Sequence, residues 1–253
     1  METLFIGKNH FFLSDVDSTN TYAINLLRNV NAIEGSVIYT HNQTQGRGQR
    51  GAQWQAQIGK NITASVILKP SFLSINNTFL LSKLSALAIY DVLTELLPTS
   101  QYDIKIKWPN DILVNKKKIA GILIENQFNG NYLTSCVIGI GLNLNQAEFG
   151  DLKETATSLA IELKQEFEIE TVLNALCSKL EKWYLKLKAN HIQEIDSTYL
   201  EKLYGLNQSL DYENENNNGF TGIITGIAPD GKLILQIANQ EKQFDLKQIK
   251  LKL

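Results

Sequence analysis

The stretch from Ile104 to Glu125 limits the fold more than any other. Ile104, Lys105, Ile106 and Lys107 alternate apolar and charged, the period of a strand with one solvated face. Trp108-Pro109-Asn110-Asp111 interrupts the pattern, and Ile112-Leu113-Val114 resumes it. Asn115–Lys118 reads as a turn and Ile119–Glu125 as the returning strand, so the whole predicts a β-hairpin with a basic shoulder. Lysines at turns are ordinarily solvated. Lys118 differs because it borders the returning strand, which can fix its direction.

Other strands are expected at Ser36–Thr40, at Asn61–Leu68 (stopped by Pro70) and at Cys136–Asn145. A helix follows Ser18, with Tyr22, Leu26, Leu27 and Val30 on one face and Asp17 or Ser18 as its N-cap. Phe79–Leu97 is apolar nearly all round, hence a buried helix, and Pro98 closes it. Thr157–Phe167, Ile169–Ala189 and Ile192–Tyr204 are the remaining helices. Near Gly205 the composition changes to short strands divided by turn residues at 213–219, 229–231 and 239–240. That predicts a small all-β barrel of about five strands. The expected division is 1–204 and 205–253.

Charge and composition exclude several classes. The 253 residues are 43% apolar and 20% charged, within the globular range. A net charge of -2 gives no overall basic field to hold nucleic acid. No apolar run approaches the roughly 20 residues a membrane span needs, and no signal peptide is legible at the N-terminus, so a cytoplasmic protein is expected. Cys136 and Cys177 make no disulfide framework, and His10, His41 and His191 make no metal-binding pair. Gly139-Ile140-Gly141 is neither completed by a third glycine nor followed by a helix, which rules out a dinucleotide fingerprint.

What remains is Gln43–Trp54. Gly46, Gly48 and Gly51 alternate there with Arg47, Gln49 and Arg50, before Ala52, Gln53 and Trp54. Glycine lets a backbone come close to a ligand, and arginine offers a planar fork of donors to phosphate or carboxylate. The segment suits wrapping an anion, though a flexible basic surface loop would read the same way. Gly139 and Gly141 weaken their strand unless another group must approach it closely. The helix N-terminus at Ser18-Thr19-Asn20 can face an anion or simply be capped.

Taken in order, these motifs resemble biotin–protein ligases. Ser18-Thr19-Asn20 is similar to the family's serine-threonine-asparagine motif and Gln43–Trp54 to its glycine-arginine adenylate loop. Lys107–Asp111, with Lys118 and Ala120-Gly121, is similar to its lysine-tryptophan-proline-asparagine-aspartate hairpin, and Gly139–Asn143 to its glycine-containing strand. The resemblance covers essentially the whole chain. It implies an α+β fold of the class II synthetase-like, biotin-ligase kind: a mixed, largely antiparallel sheet flanked by helices, with an SH3-like C-terminal barrel. It also implies a two-step reaction, in which ATP and biotin give biotinyl-5'-AMP and a carrier-domain lysine then takes the biotin, with Mg2+ expected beside ATP.

By the same resemblance Lys118, Arg47 and Lys107 are the catalytic residues. Biotin falls to Ser18, Thr19, Asn20, Gln43, Gly46, Arg47, Gly48, Gln49, Lys118, Gly121, Gly139 and Gly141. The adenylate falls to Arg47, Arg50, Trp54, Lys107, Asn110 and Asn143. Asp111 is a candidate supporting carboxylate or base, and no metal ligand is assigned. The implied partner is a biotin carboxyl carrier domain, such as that of acetyl-CoA carboxylase, and a homodimer through sheet edges is in keeping with the family. Gln49 and Ala52 stand where the family often has arginine, which moves weight onto Arg47, Arg50 and the glycine backbone. Ser18 lies too near Met1 to leave room for the DNA-binding domain of some members, so DNA binding is not expected. Lipoate ligases and octanoyl transferases are expected to share the catalytic fold; the 107–111 hairpin and the C-terminal β region favour biotin over them.

Overall fold

The computed structural model describes residues 3–30, 32–246 and 248–252, with the side chains of Val30 and Arg50 outside that description. Seven strands form the principal sheet: β1 (His10–Val16), β2 (Val37–Gln43), β3 (Ile62–Leu68), β4 (Ile104–Lys107), β5 (Asp111–Val114), β6 (Lys117–Asn129) and β7 (Tyr132–Leu142). Their order is β1-β2-β3-β7-β6-β5-β4, with β1 parallel to β2 and every other pair antiparallel. The sheet is thus mixed and largely antiparallel, as the family resemblance implies. The edge strand β1 was not predicted; its residues alternate between exposed and half-buried and give no strong apolar signal.

Three layers follow from the two faces of these strands. Ile38, Ile67 and Val137 meet Ala23 of helix α1 (Thr19–Val30) on one face. On the other, Val37, Val66, Leu68, Ile138 and Ile140 join the core beneath α2 (Phe79–Leu96), α4 (Ile169–Lys188) and α5 (Ile192–Lys202). The expected helix over 157–167 shrinks to α3 (Leu159–Leu163), which Ser158 caps by accepting from Ile161 N–H at 3.2 Å and Lys164 ends in a left-handed conformation. Val30, predicted on the inner face of α1, has a side chain outside the described set.

The β5–β6 hairpin corrects the sequence reading. Only Asn115 and Lys116 form the turn, both at positive φ (50° and 67°), the conformation that suits a two-residue hairpin loop. Lys117 and Lys118 belong to β6. Register then shifts between Ile112 and Leu113: Ile112 faces Ala120, but Leu113 faces Lys118. Gly121 lies three positions after Lys118, so a regular strand would send their side chains to opposite faces. The bulge brings them to the same face.

The C-terminal sheet contains β8 (Ser209–Asn214), β9 (Gly219–Ile227), β10 (Leu233–Ile237), β11 (Gln240–Phe244) and β12 (Ile249–Leu251), ordered β11-β10-β9-β8-β12. It is locked to the principal sheet at the β4–β5 turn. Trp108 Nε1 donates to Gly231 O at 2.9 Å, and Tyr204 N donates to Ile106 O at 2.8 Å. Gly231 has φ of 92°, and a Cβ there would lie 2.5 Å from the Phe79 ring. Among the described residues no helix is long and apolar enough to cross a membrane.

Candidate active site

The site is built on the α1 face of the sheet, where side chains have been removed from the middle strands. Gly121, Gly141 and Thr63 are cross-strand neighbours in one row, and Leu123, Gly139 and Ser65 in the next. A Cβ on Gly141 would sit 2.2 Å from Trp54 Cε2, and one on Gly139 2.3 Å from Asn20 Oδ1. These glycines let an indole and an amide come down onto the backbone, which explains why the strand tolerates them. Above the rows lies a cavity of about 460 Å³, within the range that holds small-molecule ligands.

One end of the cavity is densely hydrogen-bonded and carries its charge as one ion pair, Arg47 with Glu125. Ser18, Thr19 and Asn20 are buried there at the start of α1. Thr21 N–H reaches Ser18 Oγ at 3.4 Å, and Thr19 N–H donates to Gln43 Oε1 at 2.9 Å. Ser65 Oγ donates to Asn20 Oδ1 at 2.6 Å and lies 2.8 Å from Thr19 Oγ1. Asn20 Nδ2 donates to Glu125 Oε2 at 2.9 Å, and Arg47 Nη2 binds the same oxygen at 2.6 Å. The arginine of the loop is therefore tied to the sheet through Glu125.

The loop closes at its neck. Trp54 N–H donates to Gly46 O at 3.0 Å, Gly48 N–H to Ala52 O at 2.7 Å, and Gln49–Gly51 form one tight turn. A Cβ on Gly46 would lie 2.2 Å from Trp54 O, so that glycine is required by the neck itself. The closure delivers Trp54 onto Gly141.

The other end is cationic. Lys118 Nζ lies 2.6 Å from Asp111 Oδ1 and 5.7 Å from the centroid of the Trp54 ring. Lys107 also lines it, and burial holds its ammonium below the usual lysine pKa; Asp111 opposes that shift, while Lys118 and Lys250 add to it. Beyond Trp108 and Pro109 the C-terminal sheet forms the wall, through Tyr212, Lys250 and Leu251. Trp54 Nε1 and Tyr212 Oη are buried with no hydrogen-bond partner among the described residues. Buried polar atoms are ordinarily paired, so two such atoms around one cavity mark where a ligand's acceptors fit.

A sequence profile of the biotin/lipoate A/B protein ligase family matches residues 12–143. The chain belongs to that family. It is 32% identical to the bifunctional ligase/repressor BirA of Bacillus subtilis over 93% of this chain and 72% of that one. It is 31% identical to the biotin–[acetyl-CoA-carboxylase] ligase of Paracoccus denitrificans over 88% and 92%. The biotin protein ligase of Aquifex aeolicus, solved with biotin and ATP, superposes with a TM-score of 0.79 at 25% identity, covering 97% of this chain and 99% of that one.

Most of the residues assigned from the family resemblance converge on the cavity. Ser18, Thr19, Asn20, Gln43, Arg47, Gly48, Gln49, Trp54, Lys107, Asn110, Asp111, Lys118, Gly121, Gly139 and Gly141 all line it. Asn143 does not: it is buried past the end of β7 and donates to Thr157 O at 3.0 Å, which ties that strand to the segment before α3. Gly46 serves the loop neck rather than the cavity wall. Gly48 N–H, assigned to an anion, is engaged by Ala52 O. Asn110 reaches the cavity while its Nδ2 donates to Ile122 O at 2.9 Å. The side chain of Arg50 lies outside the described residues.

Sequence reading missed Ser65, Glu125, Tyr212 and Lys250. Ser65 and Glu125 left a trace, as polar residues within or ending apolar strands. Nothing local to Tyr212 or Lys250 distinguishes them.

Proposed function

We propose that this chain activates biotin with ATP to biotinyl-5'-AMP and transfers the biotin to a lysine of a biotin carboxyl carrier domain. The observation that carries this reading is one continuous cavity with a donor- and acceptor-rich end, whose charges are paired between Arg47 and Glu125, and a cationic end, joined under Trp54. Biotin has that division, with a neutral ureido ring at one extremity and a carboxylate at the other. The polar groups of Ser18, Thr19, Asn20 and Gln43 match the ureido ring, since each polar group buried unpaired costs about 1–3 kcal/mol.

The carboxylate then lies toward Lys118. Its oxygen attacks the α-phosphorus of ATP, the bond from that phosphorus to the bridging oxygen breaks, and pyrophosphate leaves with the electron pair. Negative charge builds up on the α-phosphate oxygens, where Lys118 and Lys107 lower its energy without reorganising. Trp54 covers the mixed anhydride and keeps water from it. In the second step an uncharged carrier lysine attacks the anhydride carbonyl, the bond from that carbon to the phosphate oxygen breaks, and AMP departs with the electron pair as the new amide nitrogen loses a proton. Asp111, against Lys118, is placed to hold that ammonium in position through both steps.

Magnesium, expected with ATP, meets no group of three acidic, histidine or cysteine side chains among the described residues. That donor set suits an ion carried on the phosphates and largely hydrated, rather than one caged by protein. The carrier assignment rests on the name of the Paracoccus denitrificans relative. Incubation with biotin, ATP and a carrier domain, read by streptavidin blot, tests the proposal; a labelled carrier is expected, and its absence with both substrates present would refute it.

A further inference from the structure

The segment that carries Trp54 is held at both ends. Its upstream end is the loop neck, where Trp54 N–H meets Gly46 O. Its downstream end is a side-chain amide far along the chain. Gln57 N–H, three positions after Trp54, donates to Gln146 Oε1 at 3.0 Å, and Asn61 Nδ2 donates to the same oxygen. Both lone pairs of that oxygen are thus in use. Gln146 Nε2 donates to Glu148 O at 2.8 Å, and Asn61 Oδ1 accepts from Leu144 N–H at 3.0 Å. Gln146 and Asn61 are both buried, so water does not replace these bonds freely.

The main chain of Gln146 reaches the catalytic hairpin. Ser158 Oγ donates to Gln146 O at 2.6 Å. Just before Ser158, Thr157 N–H donates to Lys118 O at 2.9 Å, and Lys118 N–H donates to Thr155 O at 2.8 Å. One residue therefore ties the stem of the Trp54 segment to the segment that holds the Lys118 backbone. The two side chains so placed meet above the glycine rows: a Cβ on Gly121 would lie 3.2 Å from both Trp54 Cζ3 and Lys118 Cε. Among the described residues, those lining the cavity do not include Gln146.

We propose that Gln146 is a positioning residue, which holds the Trp54 indole against Lys118 and Gly141 and so keeps water from biotinyl-5'-AMP. This rests on the reading of the cavity as an adenylating site. When the indole lifts, water attacks the anhydride carbonyl and the bond from that carbon to the phosphate oxygen breaks. AMP leaves with the electron pair, the water gives a proton to solvent, and biotin is returned. ATP is then spent without a labelled carrier. Gln146 thereby sets how tightly ATP use is coupled to transfer, acting through the two segments it joins.

The ratio of AMP released to carrier labelled is the readout, with unfolding midpoints measured alongside. Gln146→Met keeps the length of the side chain and removes the acceptor. It should raise the ratio severalfold, whereas a loss of folded protein alone would lower both products together. Gln57→Pro removes the N–H itself at an exposed position and should leak likewise, so the test stands even where Gln146→Met does not fold. Trp54→Ala should raise the ratio at least as far. Adding Gln57→Pro or Gln146→Met to Trp54→Ala should raise it no further, because residues that act as a unit are not additive. A ratio unchanged in a folded single variant, or one that rises further in the double variants, would overturn the assignment. Failure of the adenylation reading would show separately, as a wild type that makes no adenylate from biotin and ATP.

Discussion

The two ends of the cavity are finished to different degrees. At the Ser18–Asn20 end nearly every donor and acceptor already has a protein partner: Thr19 with Gln43, Asn20 with Ser65 and Glu125, Arg47 with Glu125. At the Lys107 end like charges face one another, and Trp54 Nε1 and Tyr212 Oη are without partners among the described residues. A saturated network holds its shape and can select a neutral ring by geometry. An unsaturated, cationic pocket gains most when an anion enters, because the ligand relieves repulsion and pairs desolvated donors. The first end is built to discriminate, and the second to attract and stabilise charge.

That contrast can be broken most severely where the ends meet. Lys118→Ala should reduce biotin-dependent ATP–pyrophosphate exchange by about 10²–10³-fold, the usual cost of removing a donor from a developing anion, while biotin still binds; near wild-type exchange would contradict the role. At the cationic end, the lowered pKa of Lys107 has a definite sign. The free protein's lysine loses its proton at a pH below the ordinary lysine value of 10.5, so ATP affinity should decline as pH rises through that lowered value. Lys107→Arg should move the decline to higher pH, because guanidinium keeps its proton. Profiles of KM for ATP against pH that coincide for the two proteins would show that Lys107 does not carry the effect. The smallest change is expected from Ser65→Ala at the neutral end. It removes one donor to Asn20 and should cost about 1 kcal/mol, read as a severalfold weaker Kd for biotin with the KM for ATP unmoved.

Local pattern revealed the strands of the middle of the sheet and the long helices, because each buries a regular apolar face. Edge strand β1 escaped for the opposite reason: half of it is exposed and it carries His10, Ser14 and Asp15. The shared motifs located the neutral end and the lysines, but not their orientation. Whether Lys118 faces the cavity depends on a register shift at Ile112/Leu113 that no composition signals. Asn143 was misplaced because a residue just past a strand turns with the chain, here toward Thr157. Tyr212 and Lys250 reach the cavity through the docking of Gly231 on Phe79 and Trp108, a contact between segments more than a hundred residues apart in sequence.

The most direct test exploits the two glycines that floor the two ends. Gly139→Ala places a methyl against the Asn20 amide, and Gly141→Ala places one against the Trp54 indole. Biotin and ATP are titrated separately into each variant, with unfolding midpoints measured alongside. The account predicts a crossed result: Gly139→Ala weakens biotin by about tenfold, as expected when a buried network loses a bond, and spares ATP, whereas Gly141→Ala chiefly weakens ATP. Equal losses of both ligands in both variants, with the fold intact, would contradict the division of the cavity into a biotin end and a nucleotide end.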